Sequence, residues 1–377
     1  MGYTDTNASR QGSLNGAADK WSLFLKVFSG EVLSLFEQKT VMKPLITTRS
    51  ISVGKSAAFP LYGSLGAKFH VPGQNLLETG NGYVGDMKFA ERVLNIDGQL
   101  ISAAFVADID DMLNHWDVRG PIATQIAREL AYYFDKAAMQ TMLAAARTSS
   151  SPVTYKTSGG QDLVGTQITA TGAGFSPGDF ITAAYAAAAA LDNKDVPSED
   201  RFIILNPTNY WKLVLCNSPY VQSRDYSEGN SNVAKGVLHE LAGMRLIKSG
   251  FIPNSDQTAD ADGTSGNPLS IDAKYSALSG DKGTTVTTVS GANVTTAMPN
   301  HSIKNDPFGG GNGYIADFSK TLAVVGRGEA VGCVQKHDIV TESERKIEYQ
   351  GTLMLGKLMT GFGVLRPECA VEIKSTS

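Results

Sequence analysis

Asp108, Asp110 and Asp111 stand within four residues of one another, with His115 and Asp117 close behind. Carboxylates at this spacing offer oxygen ligands to Mg or Ca, and the imidazole would draw a transition metal. Aspartates at the entrance to a helix have another use, because they accept from free N–H groups and complement the macrodipole. We read these residues as caps and expect no metal. Gly80-Asn81-Gly82-Tyr83-Val84-Gly85 has the spacing G-x-G-x-x-G. A dinucleotide fingerprint must leave a strand and open a helix, so that the pyrophosphate meets helix amides, whereas this run lies in a hairpin tip. The glycine run 309–313 lacks the Lys-Ser/Thr of a phosphate-binding loop and reads as a hinge. His70, His115, His239, His301 and His337 form no H-E-x-x-H, and no serine occupies a G-x-S-x-G elbow. Cys216, Cys333 and Cys369 are too far apart for a C-x-x-C pair and read as reduced thiols. No catalytic residue and no cofactor is expected, so the chain reads as a non-enzyme.

The elements around these residues are long and unequal. At 377 residues the chain exceeds one ordinary core, so two domains, or one with long extensions, is the starting expectation. Residues 1–18 are mostly small and polar and are expected to be mobile. Behind Asp19, Trp21, Phe24, Leu25, Phe28, Val32, Leu35 and Phe36 recur at helical spacing, with a break or bend at Ser29-Gly30. Residues 49–62 and 87–97 read as the strands of a long β-hairpin with a Gly-rich, flexible tip. Ile122, Ile126, Leu130, Phe134, Ala138 and Met142 recur every four residues behind Pro121, predicting a helix over 122–147, roughly 40 Å long.

Residues 148–177 read as a linker or flexible insertion and 179–191 as an alanine-rich helix. Residues 201–205 read as a buried strand, followed by a short helix that starts at Asn206-Pro207. Between 252 and 312 there is no Glu and no Arg, which marks a large polar insertion, with a small β-flap at 284–289. Strand patterning resumes at 322–326 and 330–335. Glu342, Glu344, Lys346, Glu348 and Gln350 then share one face at period two, which reads as an edge or a long half-exposed strand.

The net charge is −4, and no basic run exceeds Arg345-Lys346, which argues against a protein that grips a phosphate backbone. Charged residues make up 19 %, below the roughly 25 % usual in soluble domains, as suits extensive subunit contact or a loop-rich surface. No apolar run approaches the roughly 18 residues that would cross a bilayer.

Three blocks carry a resemblance. They are DKWSLFLKVFSGEVLSLFEQKTV (19–41), RSISVGKSAAFPLYGSLGAKFHVPGQNLLE (49–78) and ERVLNIDGQLISAAFVADIDDMLNHWDVR (91–119), the last running into the long helix. With VPSEDRFIILNPTNYW (196–211), AVGCVQKHDI (330–339) and GVLRPECA (363–370), the chain resembles the major capsid proteins of short-tailed bacteriophages of the T-seven type, the podovirus or autographivirus group. The resemblance implies an α+β, Hong Kong 97-like capsid fold. Its parts would be an N-terminal arm at 1–48, an extended loop at 49–98, a peripheral domain at 99–180 and 330–377, and an axial domain at 181–329 carrying the polar insertion 252–312.

It also implies a function: pentamers and hexamers closing into an icosahedral shell around double-stranded DNA, which is enclosed without specific binding. The expected partners are other copies of the chain, a separate scaffolding protein and a portal protein, with no membrane. Assembly is expected in the bacterial cytoplasm and the final location in the virion. Trp21, Phe24, Leu25, Phe28, Phe36, Ile51, Phe59, Tyr62, Phe69 and Tyr83 are the expected assembly contacts. The alternatives are an encapsulin-like compartment shell and a hydrolase with a dispersed site. Host, shell size, decoration proteins and covalent linking between subunits are not legible.

Overall fold

The computed structural model describes residues 40–62, 68–78, 89–107, 119–150, 162–172, 174–216, 231–232, 237–256, 286–287, 293–294, 305–308, 314 and 316–376. The aromatic stripe 21–36, the acidic cluster 108–117, the glycine runs 80–85 and 309–313, and most of the polar insertion lie outside them. The strands are β1 (Thr47–Ser50), β2 (Ser56–Tyr62), β3 (Phe89–Asn95), β4 (Leu100–Ala107), β5 (Thr166–Ala170), β6 (Phe202–Leu205), β7 (Ser231–Asn232), β8 (Val237–Leu238), β9 (Glu240–Leu241) and β10 (Met244–Lys248). They continue with β11 (Val286–Thr287), β12 (Asn293–Val294), β13 (Thr321–Gly326), β14 (Val331–Lys346), β15 (Gly351–Val364) and β16 (Ala370–Ser375). The helices are α1 (Arg119–Arg147), α2 (Pro177–Asp192) and α3 (Pro207–Val214).

The chain forms two units. The larger comprises residues 40–100, 131–338 and 358–377. Its centre is a six-stranded sheet ordered β5-β16-β13-β6-β10-β9. β13 runs antiparallel to both neighbours, β16 and β6, whereas β5–β16 and β6–β10 are parallel pairs. β6 (FIIL) and β13 (TLAVVG) are buried at every position, the continuous apolar pattern of strands covered on both faces. α2 buries Phe180, Ile181, Ala183, Ala184, Ala187 and Leu191 and packs on β5 and β16. α3 begins as its sequence requires: the Asn206 side chain accepts from the Thr208 N–H at 3.0 Å, with Pro207 at the first turn.

Two expectations change here. Residues 148–177 were expected as a linker, yet β5 lies within them and extends the sheet. Its alternating polar sequence TQITA is too short and too hydrophilic to stand out among Ser, Thr and Gly. The apolar stripe expected on α1 is instead burial on every side from Tyr133 to Ala146. Ala137, Ala138, Ala144, Ala145 and Ala146 are small enough for neighbours to close in all round.

The smaller unit contains the described residues of 101–130 and 339–357. In it β4 lies beside β15. β14 ends at Lys346, and the chain reverses through the single 3-10 turn Ile347–Tyr349, with Gln350 in the left-handed region at φ 48°. The strand expected over 341–350 therefore holds through Lys346, and only 347–350 depart from it, forming a tight turn. Phe105 meets Tyr349 edge to face at 6.4 Å. Gly351 lets Phe105 approach, since a Cβ there would lie 2.3 Å from its Cζ.

Candidate assembly surfaces

β2 and β3 pair antiparallel over seven residues, from Ser56 opposite Asn95 to Tyr62 opposite Phe89. One face turns into the larger unit. Ala57, Phe59 and Leu94 pack there with Val334 and Leu365, and Ile51 and Ile96 flank them half-buried. The Arg49 guanidinium donates to the Ala58 carbonyl and lies 5.9 Å from the Phe59 ring centre.

The other face meets water. Tyr62 and Phe89 stack edge to face at 5.7 Å, 51 % and 68 % exposed, beside the exposed Val93. The connection between the strands adds Phe69, fully exposed, with Val71, Leu76 and Leu77, and Val53 stands out before β2. A single exposed leucine is ordinary, but a run of large apolar side chains along one hairpin is a candidate docking surface.

The expected contacts separate into three groups. Tyr62 and Phe69 are on the open surface and Ile51 is half-buried. Phe59 departs from the expectation: at 8 % exposure it holds the hairpin from inside. Trp21, Phe24, Leu25, Phe28, Phe36 and Tyr83 lie outside the described residues. Phe89, Leu76 and Leu77 were not anticipated, although the register places Phe89 opposite Tyr62. In the smaller unit Ile347 and Tyr349 are 76 % and 72 % exposed; their signal was two large apolar residues among charged ones.

The segment that leads into β1 is fixed by a buried carboxylate. Asp135 on α1 accepts from the Val41 N–H at 2.7 Å and the Met42 N–H at 3.0 Å, capping the turn through which Leu45 and Ile46 donate to the Met42 carbonyl. Burial pushes its pKa up to about 6, against the pull of the two donors.

Other buried polar groups serve architecture. Glu372 is fully buried and receives Arg147, Thr321 and Gln167. Burial raises Cys333 and Cys369 to about 12, which removes the thiolate that nucleophilic chemistry needs. Among the described residues no group of three His, Cys, Asp or Glu side chains could hold a metal ion, and no helix is long and apolar enough to cross a membrane.

A family model described as Gp10A-like major capsid protein matches residues 58–298 and 281–374. The chain belongs to that family. As a Gp10A-like capsid protein it is 29 % identical over 370 residues to the major capsid protein of Enterobacteria phage T3, covering 97 % of this chain and 95 % of the relative. To the major capsid protein of Escherichia phage T7 it is 28 % identical over 364 residues, covering 94 % and 92 %. The capsid structure of cyanophage P-SCSP1u aligns with a TM-score of 0.68 at 32 % identity, covering 99 % of both chains. The mature capsid of bacteriophage PhiM1 aligns at 0.64 with 16 % identity, a likeness of fold. The Hong Kong 97-like capsid fold expected from the sequence is thus the fold of this chain. It is a structural protein of the virion shell, and the encapsulin-like alternative is not favoured.

Proposed function

We propose that this chain closes into an icosahedral shell as pentamers and hexamers around double-stranded DNA. The exposed apolar run on the β2–β3 arm carries this reading, because an isolated subunit leaves Tyr62, Phe69, Leu77 and Phe89 in water. Each contact can be modest, since many made at once supply the avidity. The arm stripe of Trp21, Phe24, Leu25, Phe28 and Phe36 acts with Ile51, Tyr62, Phe69 and Tyr83 in holding neighbouring copies, while Phe59 stiffens the hairpin. The four-part division into arm 1–48, extended loop 49–98, peripheral domain 99–180 with 330–377, and axial domain 181–329 describes how copies meet. Compactness of a single chain follows other boundaries.

A separate scaffolding protein templates the shell in the bacterial cytoplasm, and a portal protein takes one vertex. The chain has no catalytic role. Its net charge of −4 suits a wall that must not adhere to the DNA it encloses. The deciding experiment is electron microscopy of the chain expressed with and without a candidate scaffold. Closed shells with the scaffold are expected; small discrete oligomers under both conditions would overturn the proposal.

A further inference from the structure

The geometry points to Asn305 as a latch that couples the root of the β2–β3 hairpin to the limb by which the polar insertion returns to the fold. At the hairpin root the Ile96 N–H donates to the Lys55 carbonyl at 2.8 Å. Neighbouring residues of a strand point their backbone groups to opposite sides, so those of Asn95 face away from β2. The Asn305 side chain occupies that side. Its Nδ2 donates to the Asn95 carbonyl at 2.7 Å, and its Oδ1 accepts from the Asn95 N–H at 3.2 Å. One side-chain amide thus does what a further strand would do.

The latch has a second point of grip. Asp97 Oδ1 accepts from the Asn305 backbone N–H and from Nδ2, both at 3.1 Å, while Oδ2 accepts from the Tyr314 hydroxyl at 2.5 Å. That hydroxyl accepts from the Phe362 N–H at 3.1 Å, and the Asp97 N–H donates to the Thr360 carbonyl at 3.1 Å. Asp97, Asn305 and Tyr314 are 6 %, 8 % and 0 % exposed, so water cannot readily replace a lost partner. Gly361 closes the junction: a Cβ there would lie 2.0 Å from the Asn95 carbonyl oxygen and 2.8 Å from Asn305 Nδ2.

Three residues further on, the limb is held again. Phe308 lies edge to face on Phe318 at 5.6 Å, its ring 6.0 Å from the Arg147 guanidinium. Displacing residues 305–308 therefore removes both Asn305 contacts from Asn95 and two donors from Asp97, which keeps Tyr314 and Thr360, and so loosens the hairpin root. The coupling must run in both directions, since a linkage between two sites is reciprocal. It is a property of the single chain and stands whether or not shells form.

Hydrogen exchange on the full chain tests the coupling. Asn305→Ala is expected to raise amide exchange over 89–97 by about tenfold, the effect of losing a buried hydrogen bond or two, while 202–205 and 321–326 stay as they were. Asn305→Asp should be worse than alanine, because it sets a carboxylate oxygen against the Asn95 carbonyl and Asp97. In the reverse direction, Leu94→Ala should raise exchange over 305–308. Tyr314→Phe, which removes one hydroxyl, gives a milder variant should the others fail to fold, and it should raise exchange at Asp97 and Phe362. Unchanged hairpin amides, a rise shared equally by the six-stranded sheet, or an aspartate variant no worse than alanine would each overturn the proposal.

Discussion

Arg147 and Glu372, 225 positions apart, meet in a two-point ion pair, Nε to Oε2 at 2.7 Å and Nη2 to Oε1 at 2.6 Å. The pair ties the last residue of α1 to the interior of β16. Glu372 has no exposed surface, and the Arg147 guanidinium also donates to the Asp317 carbonyl at 2.7 Å and lies over the Phe318 ring at 5.1 Å. Removing one partner of a buried pair leaves an uncompensated charge at a cost of roughly 3–5 kcal/mol. Arg147→Ala, which strands the fully buried Glu372 carboxylate, is expected to lose about that much in urea unfolding. Arg147→Lys loses the planar fork and should fall between that variant and the native chain.

Asp135 gives the pH dependence a sign. Its carboxyl titrates at about 6 in the folded chain against an ordinary 3.8. Between those values the folded state holds a proton that the unfolded state has released. This contribution is therefore fully present below 3.8 and is lost as pH rises through about 6. Asp135→Asn should flatten that slope in unfolding free energy measured from pH 3 to 8. Asp135→Ala also strips the Val41 and Met42 N–H groups of their acceptor. It should lower stability at pH 7 by about 1–3 kcal/mol and expose residues 40–46 to protease.

Tyr62→Asp and Phe89→Asp test the open face of the arm. Both side chains are more than half exposed, so the folded chain should change by about 0.5 kcal/mol or less. Shell yield in sedimentation should nevertheless collapse. Normal shells from both variants would remove this face from assembly.

Gly351→Ala probes the smaller unit. The new methyl meets Phe105 and the Val106 carbonyl, an overpacking expected to cost about 1–3 kcal/mol. Exchange should rise over 101–107, with 202–205 unchanged.

Elements with a strong repeating pattern were legible in the sequence. The long helix, the strand at 202–205 and the Asn206 cap lie where periodicity and capping chemistry put them, whereas the first hairpin strand, expected over 49–62, begins only at Ser56, because 47–50 pair in parallel with β14 instead. β5 and β16 were less so, because a five- or six-residue strand is defined by its neighbours, and those come from distant parts of the chain. The open face of the hairpin was half legible. Tyr62 and Phe69 stand out as large apolar residues near a turn, but Phe59 has the same chemistry and faces inward. Only the two-residue alternation against Leu94 and Val334 decides between them. The Asn305–Asp97 cluster left no local trace, since its members meet from three separate stretches.

The position of β16 between β5 and β13 sets an order of events during synthesis. Residues 370–375 must leave the ribosome before the six-stranded sheet can close, because without them β5 has no hydrogen-bonded neighbour and β13 lacks one of its two. Pairings so distant along the chain form slowly. A polypeptide that stops before residue 370 therefore stays incomplete at its centre, with β5 unpaired and one edge of β13 open.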